Sequence, residues 1–91
     1  MPDGVRDNKA LHRFELEADG GMAVAYYTMA PGVITFTHTE VPYELNGRGI
    51  ASRLIRGALE SVRAAGLKVV SRCSFVSAYL AKHSEFSDLL S

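Results

Sequence analysis

The apolar pattern of this chain changes period at Pro42. Before it, residues 22 to 30 (MAVAYYTMA) and 33 to 41 (VITFTHTEV) are rich in β-branched, aromatic and small apolar residues at strand length. After it, from Gly49 to Ala65, the apolar positions are Ile50, Leu54, Ile55, Ala58, Leu59, Val62 and Ala65, with Arg53, Arg56, Glu60 and Arg63 between them. That second spacing is helical. A chain that reads as strands and then as an amphipathic helix has to fold as a sheet with a helix laid against it.

The remaining elements follow from the punctuation. Residues 9 to 17 (KALHRFELE) alternate loosely, with Ala10, His12, Phe14 and Leu16 on one side of an expected first strand. Asp19-Gly20 is a hairpin signal, Pro31-Gly32 makes the next turn, and Pro42 ends the third strand because proline cannot donate to a ladder. The middle strand, apolar on both faces, is expected at the centre of the sheet, with Met22, Tyr26, Tyr27 and Met29 in its core. Gly66 is placed to stop the helix. Residues 67 to 73 (LKVVSRC) read as a fourth strand, parallel to the third, and 75 to 83 (FVSAYLAKH) as a second helix. The expected order is β-β-β-α-β-α: an antiparallel meander of three strands, a crossover helix, a fourth strand and a C-terminal helix, in the α+β class.

Length and composition bound the rest. The chain has 91 residues, 47% hydrophobic and 22% charged, which fits one folded domain over residues 1-91. The solitary Cys73 suits a reducing compartment, and the polar start Met1-Pro2-Asp3-Gly4 and lack of long apolar runs point to a cytoplasmic protein with no membrane partner. No metal-ligand spacing and no aromatic-rich basic stripe are present, so neither a metal nor a nucleic acid is expected. Net charge is zero but segregated. Arg48, Arg53, Arg56, Arg63, Lys68 and Arg72 face only Glu60 within residues 45 to 72, whereas residues 1 to 44 hold three basic and seven acidic side chains. The basic excess coincides with the turn before the helix. It suits an anionic ligand there, or simply a solvated helix face.

That turn reads Asn46-Gly47-Arg48-Gly49-Ile50-Ala51-Ser52. Glycines ahead of a helix let a phosphate approach the unpaired N–H groups of its first turn, where the helix dipole is positive. It is not a P-loop, for no Gly-Lys-Ser/Thr follows, and Ser52 replaces the third glycine of the dinucleotide fingerprint. As a bare pattern it serves equally well as a tight turn.

In this context the chain resembles the GCN5-related N-acetyltransferase (GNAT) family. Asn46-Gly47-Arg48-Gly49-Ile50-Ala51 is similar to the Arg/Gln-x-x-Gly-x-Gly/Ala signature of that family, with Asn46 at the Arg/Gln position. The succession His38-Thr39-Glu40-Val41-Pro42, Gly47-to-Ala51, Cys73, Tyr79 and His83-Ser84-Glu85 resembles its short single-domain members over residues 8 to 90, with Ser84 where those carry proline. The resemblance implies a GNAT-like fold and acetyl-coenzyme A as co-substrate. Val41, Asn46, Gly47, Arg48, Gly49, Ile50, Ala51 and Ser52 would then hold the coenzyme, the turn's amides taking the diphosphate. It also implies splayed third and fourth strands, with a backbone N–H near Thr39 to Val41 polarising the thioester.

The candidate catalytic residues are Cys73, His38, Glu40 and Tyr79. Cys73, at a strand end before a helix, could act as nucleophile or proton relay, or be a small buried apolar residue. His38, sharing a strand face with Glu40 opposite Thr37 and Thr39, could serve as base; the alternative is a structural strand-end histidine. The resemblance suggests a base role for Glu40 and a general-acid role for Tyr79, which by pattern alone is a core aromatic. The implied activity is acetyl transfer to an unidentified amine, small molecule or protein. The alternative is a coenzyme A-binding regulatory module without efficient turnover, and a plain interaction domain is a third reading. A monomer or weak homodimer is expected, since a small domain with an open sheet edge can pair.

Overall fold

The computed structural model describes residues 4–18, 20–45 and 49–91. Among these residues run β1 (Arg6–Asn8), β2 (Arg13–Ala18), β3 (Gly21–Ala30), β4 (Val33–Glu40), α1 (Ile50–Ala64), β5 (Lys68–Ser71) and α2 (Ser74–Lys82), with 3₁₀ turns at Tyr43–Leu45 and Ser84–Leu89. The strands form one sheet in sequence order, antiparallel from β1 to β4 and parallel between β4 and β5. The α+β class, the central place of β3 and the crossover through α1 all match the sequence reading.

The departure lies at the N-terminus, where the structure adds a strand. Residues 9–12 form a turn, not the start of β2. Asn8 organises it: its carbonyl and its side-chain oxygen both accept from the Leu11 amide at 3.2 Å. His12 closes the turn at φ 53° and is exposed, so it is not a strand residue beside Phe14. The alternation of residues 9 to 17 is therefore half strand and half coincidence.

One face of the sheet carries the core. Phe14, Leu16, Ala23, Ala25, Tyr27, Ile34 and Phe36 join Leu54, Ile55, Leu59 and Val62 of α1 and Val76, Tyr79 and Leu80 of α2 in one buried cluster. Helix α1 ends as its glycine predicts. Gly66, at φ 73°, donates to the Arg63 carbonyl and Leu67 to that of Val62, the paired bonds of a Schellman stop. Of the four residues expected in the sheet core, only Tyr27 is fully buried. Met22 and Tyr26 are half-buried on the opposite face, and Met29 is 50% exposed.

That opposite face is a polar lattice. Arg6, Glu15, Val24 and Glu40 lie in one cross-strand row, and Asn8, Arg13, Tyr26 and His38 in the next. Glu15 is only 2% exposed yet ionised, because Arg6 Nε (2.8 Å), Arg13 Nε (2.6 Å) and Asn8 Nδ2 (3.0 Å) all donate to it. Burial alone would raise its pKa, but these hydrogen bonds and the Arg13 charge outweigh it and hold the carboxyl at about 2. Glu15→Gln is expected to cost about 2 kcal/mol, the worth of a charge-assisted hydrogen bond left mispaired. The folded-state pKa lies below the ordinary value of 4.5, so the carboxylate's contribution is complete above that pH and fades as pH falls towards 2. Urea melts of both proteins across that window check this: the wild type should lose its advantage over the variant.

Candidate active site

Pairing between β4 and its neighbours is uneven, and the site follows from that. On the β3 side the ladder runs to Glu40, but with a one-residue slip: Tyr27 opposes Phe36, and Tyr26 opposes His38. Thr37 is the extra residue of a β-bulge, its hydroxyl donating to the Tyr26 carbonyl at 3.3 Å. On the β5 side the ladder stops early, at Phe36 opposite Ser71, closed by the Arg72 amide on the Phe36 carbonyl at 2.8 Å. Beyond it β4 continues while the other chain turns into α2, so the two diverge.

The bulge sorts the side chains around this gap. Ile34 and Phe36 point into the core, and strict alternation would carry His38 and Glu40 in behind them. The extra residue reverses the phase. His38 and Glu40 emerge on the polar face, each 60% exposed, with His38 Nε2 3.1 Å from Glu40 Oε2. The His38 ring lies parallel to that of Tyr26, whose hydroxyl accepts from Arg13 Nη1 at 3.2 Å. Thr39, opposite the buried Ala25, turns to the core side, where its Oγ1 is 3.3 Å from Cys73 Sγ.

Cys73 is the N-cap residue of α2, as its place before a helix suggested, and is 7% exposed. Its thiol makes no capping bond to the helix amides. Its backbone carbonyl instead accepts from the Ser77 amide (2.9 Å) and the Ser71 hydroxyl (3.0 Å), while the sulfur contacts Thr39. Tyr79, in the second turn of α2, is buried, its ring stacked 4.0 Å from that of His83 and 6.3 Å from Phe86.

At the mouth of the gap lies a cleft of about 180 Å³ lined by Val41, Leu45, Gly49, Ile50, Ala51, Ser52 and Phe75. Five of these come from the expected coenzyme set; Asn46, Gly47 and Arg48 lie outside the described residues. Gly49 has φ 72°, a left-handed conformation that suits glycine, and a Cβ there would meet nothing within 4 Å. The first helical bond of α1 is Arg53 N to Gly49 O, so the amides of residues 49 to 52 have no partner within the helix.

The sequence reading missed Phe75, 37% exposed on the cleft wall. Phe75 and Val76 both stand one turn before Tyr79 and Leu80, and packing chose Val76 for the core. Arg53, expected to add charge at the cleft, instead borders a separate one with Arg6, Glu15 and Glu17. Much of the remaining basic excess is structural. Arg56 pairs with Glu60 at 4.0 Å, Arg63 binds Asp88 and the Glu85 carbonyl, and Lys68 Nζ donates to the Asp88 carbonyl at 2.6 Å.

A sheet whose parallel strands part beside a bulge, with a glycine-opened helix N-terminus at the gap, defines a class of acyl-transfer folds. A family profile described as GCN5-related N-acetyl-transferase matches residues 13–89, and the chain belongs to that family. It is 28% identical to Protein NATD1 of Mus musculus over 82 residues, which cover 87% of this chain and 74% of that one. The fold superimposes on a GCN5-like protein from Staphylococcus aureus solved in solution by NMR, with a TM-score of 0.74 and 25% identity, covering 100% of this chain and 91% of the other. The family and fold make the chain an N-acetyltransferase. No helix among the described residues is long and apolar enough to cross a membrane.

Proposed function

We propose that this chain binds acetyl-coenzyme A across the cleft and the gap, and passes the acetyl group directly to an amine arriving on the polar face of the sheet. The observation that carries this is the convergence of Val41, Gly49, Ile50, Ala51 and Ser52 on one cleft at the parting of β4 and β5. The diphosphate takes the amides of residues 49 to 52. The pantetheine arm passes Phe75 and enters the gap. The thioester then lies beside the backbone of Thr39 to Val41, whose β5-facing side lies beyond the end of the β4–β5 ladder, and an N–H there polarises its carbonyl.

The bulge gives the two substrates opposite sides. As the amine nitrogen bonds to the thioester carbon, His38 accepts its proton and Glu40 holds the imidazole. The C–S bond breaks, and Tyr79 returns a proton to the thiolate. Cys73 lines the core side of the gap but does not attack. An adjacent base is one way to activate a cysteine nucleophile, and here the sulfur contacts the Thr39 hydroxyl while His38 projects from the other face.

Calorimetry with acetyl-coenzyme A, coenzyme A and adenosine tests the binding, and thiol release with a panel of amines tests turnover. Saturable heat with both coenzymes, and amine-dependent release, are expected. Heat without release would point to the regulatory module, and no heat with either coenzyme would end the reading. Cys73→Ala should keep turnover within about tenfold of wild type, and intact mass after incubation with acetyl-coenzyme A should show no acetylated protein. A stable adduct lost in that variant would replace direct transfer with a covalent route.

A further inference from the structure

A second cavity, of about 280 Å³, opens at the other end of α1, away from the glycine turn and the gap. Its walls are apolar: Phe14, Tyr27, Ile34, Val62 and Leu67. Its rim is not, for Asp7, Lys9 and His12 stand there together. Neither the diphosphate cleft nor the transfer chemistry uses any of these residues.

Asp7 and the backbone of His12 are held in place. The Tyr27 hydroxyl, on a residue only 5% exposed, donates to Asp7 Oδ1 at 2.5 Å. Tyr27 is the hydrogen-bond partner of the Asp7 side chain among the described residues, so the second carboxylate oxygen is open to a ligand. Burial and this carboxylate both push the Tyr27 pKa up, which keeps the phenol a donor. His12 is the non-glycine residue at positive φ among those described. Its strained backbone is pinned by the Lys9 carbonyl on one side (3.3 Å) and the Tyr27 amide on the other (2.9 Å), and its ring stands 6.0 Å from that of Tyr27. Asp7 and Lys9 are two residues apart and both border the cavity, which sets an anion held by Tyr27 beside an exposed cation at the mouth of an apolar hole.

From this arrangement we infer that the cavity is a binding site for a small apolar zwitterion, an α-amino acid of leucine, methionine or phenylalanine size. Its side chain fills the space against Phe14, Ile34 and Val62. Its ammonium group meets the open oxygen of Asp7, and its carboxylate lies between Lys9 and His12. An apolar amine alone would face Lys9, and an apolar acid alone would face Asp7; only a molecule with both charges satisfies both. The site is independent of the acetyl-transfer reading.

The test is a titration of the ¹⁵N-labelled full chain with L-leucine, L-methionine and L-phenylalanine. The comparators are the corresponding amides, which lack the carboxylate, the N-acetyl derivatives, which lack the ammonium, and L-alanine, which lacks the apolar body. Saturable shifts at residues 7–12, Tyr27 and Val62 are expected with at least one of the three amino acids, at least tenfold weaker with every comparator. Ser61→Phe, filling the cavity from its rim, should abolish the shifts, and Asp7→Asn should weaken binding at least tenfold. Should Asp7→Asn lose its folded spectrum, Lys9→Glu at an exposed position serves instead, with the same loss expected. Absence of shifts with all three amino acids overturns the proposal, as does equal binding of the amide, the mark of a peptide N-terminus, or of the N-acetyl form.

Discussion

His38→Gln should lower kcat for amine acetylation by about 100-fold, the lower range for loss of a positioned general base, while leaving the KM for acetyl-coenzyme A within a factor of about two. The split follows from the bulge at Thr37. It puts His38 on the polar face, and His38 does not line the cleft proposed for the coenzyme, so losing the imidazole should remove proton transfer without touching a coenzyme contact. Glutamine keeps the polarity and the reach to Glu40 but cannot take the proton. Glu40→Gln should cost less, about tenfold, because in the proposed mechanism it orients the ring through one exposed 3.1 Å contact and does not itself receive the proton. Steady-state thiol release at saturating amine checks both. Equal losses in kcat and acetyl-coenzyme A affinity, or a Glu40 effect exceeding that of His38, would show that the roles are wrongly assigned.

Ser52→Glu is expected to weaken acetyl-coenzyme A binding by about 100-fold without destabilising the fold. Ser52 is the third residue of α1 and lines the cleft, exposed to solvent. A carboxylate at that helical position favours the helix, since it faces the positive end of the dipole. The same carboxylate within about 6 Å of a diphosphate repels it by about 3 kcal/mol at an effective dielectric constant of about 20. Fold and ligand therefore respond with opposite signs, which separates a lost contact from a lost structure. Melting temperature should hold or rise while the calorimetric affinity falls, and Ser52→Gln should bind within a few-fold of wild type. Unchanged affinity in Ser52→Glu would place the diphosphate elsewhere.

Several parts of this molecule were legible from single residues. The spacing from Ile50 to Val62 placed α1 and its buried stripe, Gly66 its stop, and Pro42 the end of β4. The resemblance to a family grouped Val41 with Gly49 through Ser52, and those five residues line one cleft. Other parts left no mark. Strand β1 is three polar residues, Arg6–Asn8, with no apolar period to announce it. It exists because it pairs with β2 and because Arg6 and Asn8 bind Glu15, a partner that only folding brings near. Arg53 has the same helical signature as Arg56, yet the two serve different neighbours.

What the sequence by itself determined was the order and kind of elements, because period, proline and glycine act locally, through backbone geometry that each residue carries with it. What only the tertiary structure decided was the side of the sheet from which His38 and Glu40 project. Residues 34, 36, 38 and 40 share one alternation, and nothing in VITFTHTE says where it breaks. The break comes from the pairing of β4 with β3, where Tyr27 buries itself opposite Phe36 and Thr37 is left over. A slip of one residue exchanges the two faces of a strand, so a contact made across the sheet settled which face His38 and Glu40 occupy.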